Sequence, residues 1–169
     1  MTTTPLFVAG GNSALKSEMH PSRTSMPRIL AIDYGRKRIG LALSDELGIT
    51  ARPLQVMAHK NRRDDIRRLR EICREHSVAR ILVGHPVHIT GEVGQMADET
   101  SRFATRLRKE LSIEVELADE RLTTWDAEQT IAEFGSFRQR KGVALDAVAA
   151  AILLRDYLDS KRASIAGKE

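Results

Sequence analysis

Asp146 is the only polar side chain in the run Val143-Ala-Leu-Asp-Ala-Val-Ala-Ala-Ala-Ile-Leu-Leu154. A helix that is apolar nearly all the way round is a buried helix. The Asp146 carboxylate, in the first turn, is therefore expected to leave bulk water. Doing so is costly for a carboxylate unless it is paired, hydrogen-bonded or bound to a metal. Two other segments end in acids that could meet it. Asp33 closes the apolar run Ile29-Leu-Ala-Ile, and Glu120 follows Ile113-Glu-Val-Glu-Leu-Ala-Asp. Three carboxylates from two strand ends and one buried helix suit Mg²⁺ or Mn²⁺, ions that take hard oxygen ligands.

The elements that must position these acids can be read from residue 28 onward. Strands are expected over about 28–33, 38–44 and 53–58, with short links that imply an antiparallel meander. The link Tyr34-Gly35-Arg-Lys-Arg38 reads as a tight hairpin turn. A helix over about 61–76 carries Ile66, Leu69, Ile72 and Cys73 on one stripe. A strand at Arg80–Gly84 and a helix over about 95–111 follow, the latter with Met96, Thr100, Phe103, Leu107 and Leu111 aligned. A fifth strand is expected over about 113–118. Thr123-Thr-Trp-Asp126 resembles a capping box opening a helix that ends near Gly135. The last helix is expected over about 142–159. The order βββαβαβαα gives an α/β fold: a five-stranded mixed sheet, three antiparallel strands then two parallel, with helices on both faces. Right-handed crossovers place strand one beside strand four in the middle. Asp33 and Glu120 then sit at carboxyl ends of strands, where α/β sheets bind ligands.

Composition sets the limits. The 169 residues are most simply one domain, with an aliphatic core because aromatics are only 4% of the chain. The single cysteine, Cys73, excludes an internal disulfide and a cysteine zinc cluster, and its place on the apolar stripe reads as core packing. No run approaches the ~20 apolar residues of a membrane span. The start lacks the basic and apolar segments of a signal peptide, so a cytoplasmic protein is expected. Residues 1–25 are rich in Ser, Thr, Gly and Pro and read as a disordered leader, 26–160 as the folded domain and 161–169 as a flexible tail. Met26, directly before Pro27-Arg28, is a candidate alternative start.

The formal charge is only +4, from 27 basic and 23 acidic residues. Its distribution is more telling. Basic residues cluster in Arg36–Arg38, Arg62–Arg74, Arg102–Lys109 and Arg138–Lys141, and such clusters can form a phosphate-binding surface.

The motifs resemble a known family. Asp33-Tyr-Gly-Arg-Lys-Arg-Ile-Gly-Leu-Ala-Leu-Ser-Asp45 is similar to the opening signature of the YqgF family, described as Holliday-junction-resolvase-like proteins or pre-16S rRNA nucleases. Gly84-His-Pro-Val-His-Ile-Thr-Gly91 resembles its glycine-proline loop. Asp119-Glu-Arg-Leu-Thr-Thr124 resembles its acidic-arginine motif, and Lys141-Gly-Val-Ala-Leu-Asp-Ala-Val-Ala-Ala150 its final aspartate helix. Four ordered motifs spanning about 27–160 make a specific match. The resemblance implies a ribonuclease-H-like fold and a cytoplasmic role in ribosomal RNA maturation. The loop departs from the family at His88, more often Asn there, and at His85, where a small or apolar residue is usual.

The chemistry implied is metal-dependent phosphodiester hydrolysis. Two ions about 4 Å apart can activate the attacking water and stabilise the leaving oxygen. Asp33 would bridge both, with Glu120 and Asp146 each holding one. The plainer alternatives are a turn residue for Asp33, a loop acid paired with Arg121 for Glu120, and a helix-dipole partner for Asp146. Arg36, Lys37 and Arg38 beside Asp33 read as a clamp on the phosphate backbone or as a solvated hairpin. Arg121 is placed to contact the scissile phosphate or to hold a carboxylate. Arg140 and Lys141 lead into the Asp146 helix and are candidate nucleic-acid contacts. Arg63, Arg67, Arg70 and Arg74 read as a solvated helix face. His85 and His88 lack the further ligands of a zinc site. The expected partner is structured RNA, in particular precursor ribosomal RNA and with it the ribosome. Branched DNA is the rival substrate, and the chain is expected as a monomer or homodimer; symmetric cutting of a four-way junction calls for the dimer. A non-catalytic nucleic-acid-binding factor is the competing class. Asp-Tyr-Gly followed by Arg-Ile-Gly is also similar to the first phosphate loop of actin-like ATPases, but those need two such domains and a second loop, and neither is found here.

Overall fold

The computed structural model describes residues 28–86, 94–119 and 144–166. The described elements are β1 (Arg28–Tyr34), β2 (Arg38–Ser44), β3 (Ala51–Ala58), α1 (Arg62–Glu75), β4 (Val78–His85), α2 (Gln95–Leu111), β5 (Glu114–Asp119) and α3 (Leu145–Ala166). The expected helix between Thr123 and Gly135 lies outside the described residues. The strands form one sheet in the order β3-β2-β1-β4-β5. β1 pairs antiparallel with β2, and β2 with β3; β4 is parallel to both β1 and β5. This is the mixed sheet expected from the sequence, with β1 and β4 adjacent in its middle.

Several boundaries differ from expectation; β4, for one, runs Val78–His85 rather than Arg80–Gly84. β3 begins at Ala51, two residues before Pro53. Proline lacks a backbone donor and is tolerated on an edge strand or at a bulge. β3 meets both conditions, because it is an edge strand and its register with β2 shifts between Leu41 and Ala42, where Ala42 faces Pro53. The last helix continues through Ala166, into the segment read as a tail. Its exposed final turns carry Arg162 and Ser164, whose ion pair with Asp159 and hydrogen bond to the Ser160 carbonyl are local to the helix.

Alternation along the strands builds two unlike faces. Leu30, Ile32, Ile39, Leu41, Leu43, Met57, Ile81, Val83 and Val115 face α1 and α2 and meet Ile66, Leu69, Phe103 and Leu107 there. The opposite face is floored by Ala31, Ala42 and Leu82 and receives Ala150, Ala151, Leu153, Leu154, Tyr157 and Leu158 of α3. Small residues on both partners let the α3 backbone lie close to the sheet. Asn61 caps α1 by accepting the Asp64 N–H at 3.0 Å.

Candidate active site

Asp33 is the last but one residue of β1, half-buried, and lies opposite Gly40 of β2. Its neighbours Ile32 and Tyr34 pack toward α1 and α2, so Asp33 is on the α3 face. Gly40, flanked by Ile39 and Leu41 on the other face, shares the α3 face. A Cβ at Gly40 would lie 2.0 Å from the Asp146 carbonyl oxygen and 2.9 Å from the Ala147 nitrogen. The first turn of α3 therefore rests directly on Gly40, and Asp33 and Asp146 flank this one glycine. At the end of β1, the Gly35 N–H donates to the Arg38 carbonyl at 3.0 Å and closes the hairpin.

The burial expected of Asp146 needs correction. Its side chain is 32% exposed, and Arg38 Nε sits 3.3 Å from Oδ2. The helix buries Ala147, Val148, Ala150 and Ala151, but Leu145 and Ala149 face outward, so the first turn is only half covered. Asp146 is thus an accessible, ion-paired carboxylate beside Asp33 and not one sealed in the core.

The basic turn beside Asp33 divides its contacts. Arg36 donates from Nε and Nη2 to Glu99 of α2 at 3.2 and 3.0 Å. Arg38 meets Asp146. Lys37 is exposed, and its carbonyl accepts the His59 N–H at 2.9 Å. His85, last in β4, shares a 3.0 Å hydrogen bond with Ser101 of α2. It therefore faces away from Asp33. Asp119 ends β5 opposite His85. Because Ala118 packs toward α3, Asp119 is on the α1–α2 face. Glu120, Arg121, Arg140, Lys141 and His88 lie outside the described residues; Glu120 directly follows Asp119 in the chain.

Asp33 and Asp146 carry hard oxygen donors at the carboxyl end of the sheet, and Gly40, having no side chain, lets the Asp146 backbone seat against the strand next to Asp33. That donor set fits a divalent ion of the Mg²⁺ or Mn²⁺ type. Among the described residues no group of three His, Cys, Asp or Glu converges. The third expected donor is Glu120.

A family model described as "RuvX: Holliday junction resolvase" matches residues 27–160. The chain belongs to this family. Among its relatives, a protein of Geobacillus kaustophilus named "Putative pre-16S rRNA nuclease" is 43% identical over 137 residues, covering 80% of this chain and 99% of the relative. One of Symbiobacterium thermophilum with the same name is 42% identical, covering 80% and 94%. Solved structures show the fold. RuvC of T. thermophilus in complex with a Holliday junction substrate matches with a TM-score of 0.54 at 15% identity, over 80% of this chain and 96% of that one. The fowlpox virus resolvase in complex with Holliday junction DNA matches with a TM-score of 0.51 at 12% identity, over 79% and 98%. The fold of this RuvX-family chain is thus ribonuclease-H-like, and the family is one of nucleases. No helix among the described residues is long and apolar enough to cross a membrane.

Around the RuvX-family signature lies a second constellation that sequence reasoning missed. Tyr34, next to Asp33 but on the opposite face, stacks on Phe103 with ring centroids 4.3 Å apart. The His59 ring meets Tyr34 edge-on at 5.8 Å. His59 Nδ1 lies 2.5 Å from Oδ2 of the fully buried Asp65, whose other oxygen accepts the Lys60 N–H. Burial pushes the Tyr34 hydroxyl pKa up, and the charges of Glu99 and Asp65 push it further against Arg62. The available signal was strand alternation: if Asp33 faces α3, Tyr34 faces α2.

Proposed function

We propose that this chain is a divalent-metal-dependent endonuclease that hydrolyses phosphodiester bonds in precursor 16S rRNA, maturing its 5′ end in the cytoplasm within the folded segment 26–160. One observation carries the reading. Asp33 and Asp146 flank Gly40 at the carboxyl end of the central strands, in a chain about 40% identical to proteins named pre-16S rRNA nucleases. In this reading Asp33, Glu120 and Asp146 hold Mg²⁺ or Mn²⁺. The bound metal would supply an activated water and neutralise charge on the phosphate. The protein's own residues position and steer. Gly40 lets α3 approach, Arg38 orients the Asp146 carboxylate, and Arg36, Lys37, Arg121, Arg140 and Lys141 draw the polyanion toward the site.

A second substrate, branched DNA, is favoured by the family description and by the junction complexes of the two fold neighbours. The test uses a labelled RNA bearing the 16S 5′ leader and a labelled four-way junction, each with Mg²⁺ or Mn²⁺, with chelator, and with Asp146→Asn. Cleavage of the RNA that chelator and Asp146→Asn both abolish is the expected result. Cleavage of the junction alone would move the assignment to DNA. Equal cutting by wild type and Asp146→Asn would refute the site. Binding of RNA with no cutting by either would favour a non-catalytic factor.

A further inference from the structure

Opposite the carboxylates, α1, α2 and the end of β1 enclose an open groove of about 820 Å³, whose lining includes Tyr34, His59, Arg62, Arg102, Arg106 and Lys109. We infer that this groove is a second nucleic-acid surface, holding a single-stranded stretch that flanks the scissile phosphate. The inference rests on the nuclease reading above and adds where the substrate continues.

Charge is the first argument. The groove also contains Asp65, Glu99 and Glu110. Asp65 is fully buried against His59, and Glu99 is held by the forked contact from Arg36. Glu110 is left to face four cations, Arg62, Arg102, Arg106 and Lys109, none of which has an ion-pair partner among the described residues. An excess of unmatched cations in a groove attracts a polyanion.

Spacing is the second argument. Residues 102, 106 and 109 recur at helical intervals of four and three, so they line one face of α2. From Glu99 to Lys109 the helix rises about 15 Å. That matches about four nucleotides of a stacked strand at ~3.4 Å each. The rings are the third. Half-buried Tyr34 and His59 present ring edges and faces to the groove, backed by the core residue Phe103, and sequence-tolerant binding of single strands combines basic grooves with aromatic surfaces on which bases stack. Position is the fourth. Tyr34 follows Asp33 in β1, so the groove and the carboxylates are on opposite faces of the same strand end, and a strand passing around that end reaches both.

The full chain is titrated into labelled single-stranded RNA and DNA oligonucleotides of about 12 nucleotides by fluorescence anisotropy, across a salt series. Each phosphate contact to a single strand contributes ~0.7 to the slope of log K against log salt. The triple variant Arg102→Ala, Arg106→Ala, Lys109→Ala is expected to flatten that slope by about 2 and to bind about a hundredfold more weakly at ~0.1 M salt. Arg102→Lys with Arg106→Lys retains the charge and is expected to keep the slope. That result separates lost charge from lost folding. Asp146→Asn is expected to bind like wild type while losing cleavage. Wild-type affinity and slope in the triple variant would overturn the inference, as would a wild type that binds neither oligonucleotide. If Asp146→Asn still cuts while the triple variant fails to bind, the nuclease site falls and the groove stands.

Discussion

At the scale of single residues, the proposed site depends on a side chain that is absent. Gly40 supplies no chemistry, yet the α3 backbone touches the spot where its Cβ would be. In Gly40→Ala the colliding atoms are the Asp146 carbonyl and the Ala147 nitrogen, which belong to a helix held along its length and cannot swing aside. The helix start must lift, and Asp146 moves away from Asp33 with it. Overpacking of this kind costs about 1–3 kcal/mol. A displacement of ~1 Å can cost about a hundredfold in rate. Gly40→Ala is therefore expected to remain folded with a lower denaturation midpoint and to lose nuclease activity nearly as completely as Asp146→Asn. A variant with a lowered midpoint and full activity would show that the approach of α3 serves packing only. Asp33 stood out as a candidate because it closes an apolar run, and Asp146 because it is the one polar residue within another. The half-exposure of Asp146 was not legible, since composition says a helix is apolar but not how far its first turn extends past its floor.

At the scale of elements, α3 must be held against the sheet at both ends for its first turn to stay in register. One end rests on Gly40. Toward the other, Tyr157 donates to Glu116 Oε2 at 2.6 Å and accepts from Arg80 Nη1 at 3.2 Å, while Arg80 also binds Glu114 at 2.8 Å. Lys161 lies over the Tyr157 ring at 5.0 Å. One phenol thus ties the helix to β4 and β5. Tyr157→Phe keeps the ring in its apolar setting and removes only the hydroxyl. Glu116 and Arg80 retain partial access to water and to Lys161 and Glu114, so the expected loss is about 1 kcal/mol, read as a shift in the denaturation midpoint. No shift would mean that water replaces the hydroxyl without cost. Strand and helix identities and the adjacency of β1 and β4 could be read from periodicity and crossover handedness. The Tyr157 tie could not, because it joins residues 41 and 77 positions apart and no local pattern encodes such a pair. Nor could the His59–Asp65 contact be foreseen, since it depends on the angle at which α1 leaves β3.

At the scale of the whole molecule, the same burial that makes the core also sets how stability responds to alkali. Cys73 is 4% exposed on the inner stripe of α1, and burial pushes its thiol from 9.0 up to about 11. Tyr34 and Tyr157 are raised in the same direction, first by burial. All three groups are acids whose neutral form the fold prefers. Once pH passes the unfolded-state value of each, the unfolded chain loses a proton that the folded chain keeps. The unfolded state then binds fewer protons, and stability falls with rising pH. The fall should begin near pH 9, where Cys73 ionises only in the unfolded chain, and steepen above ~10 as the tyrosines join. Denaturant midpoints measured from pH 8 to 11 are expected to decline throughout that window. Cys73→Ala starts from a lower midpoint because it leaves a small void, but it should show a flatter decline between about pH 9 and 10. The difference in slope, and not the offset, reports the thiol. If both proteins declined in parallel from pH 8 to 10, the Cys73 thiol would ionise as readily in the folded chain as in the unfolded one. The inner stripe of α1 would then be open to water in solution, against the 4% exposure of Cys73.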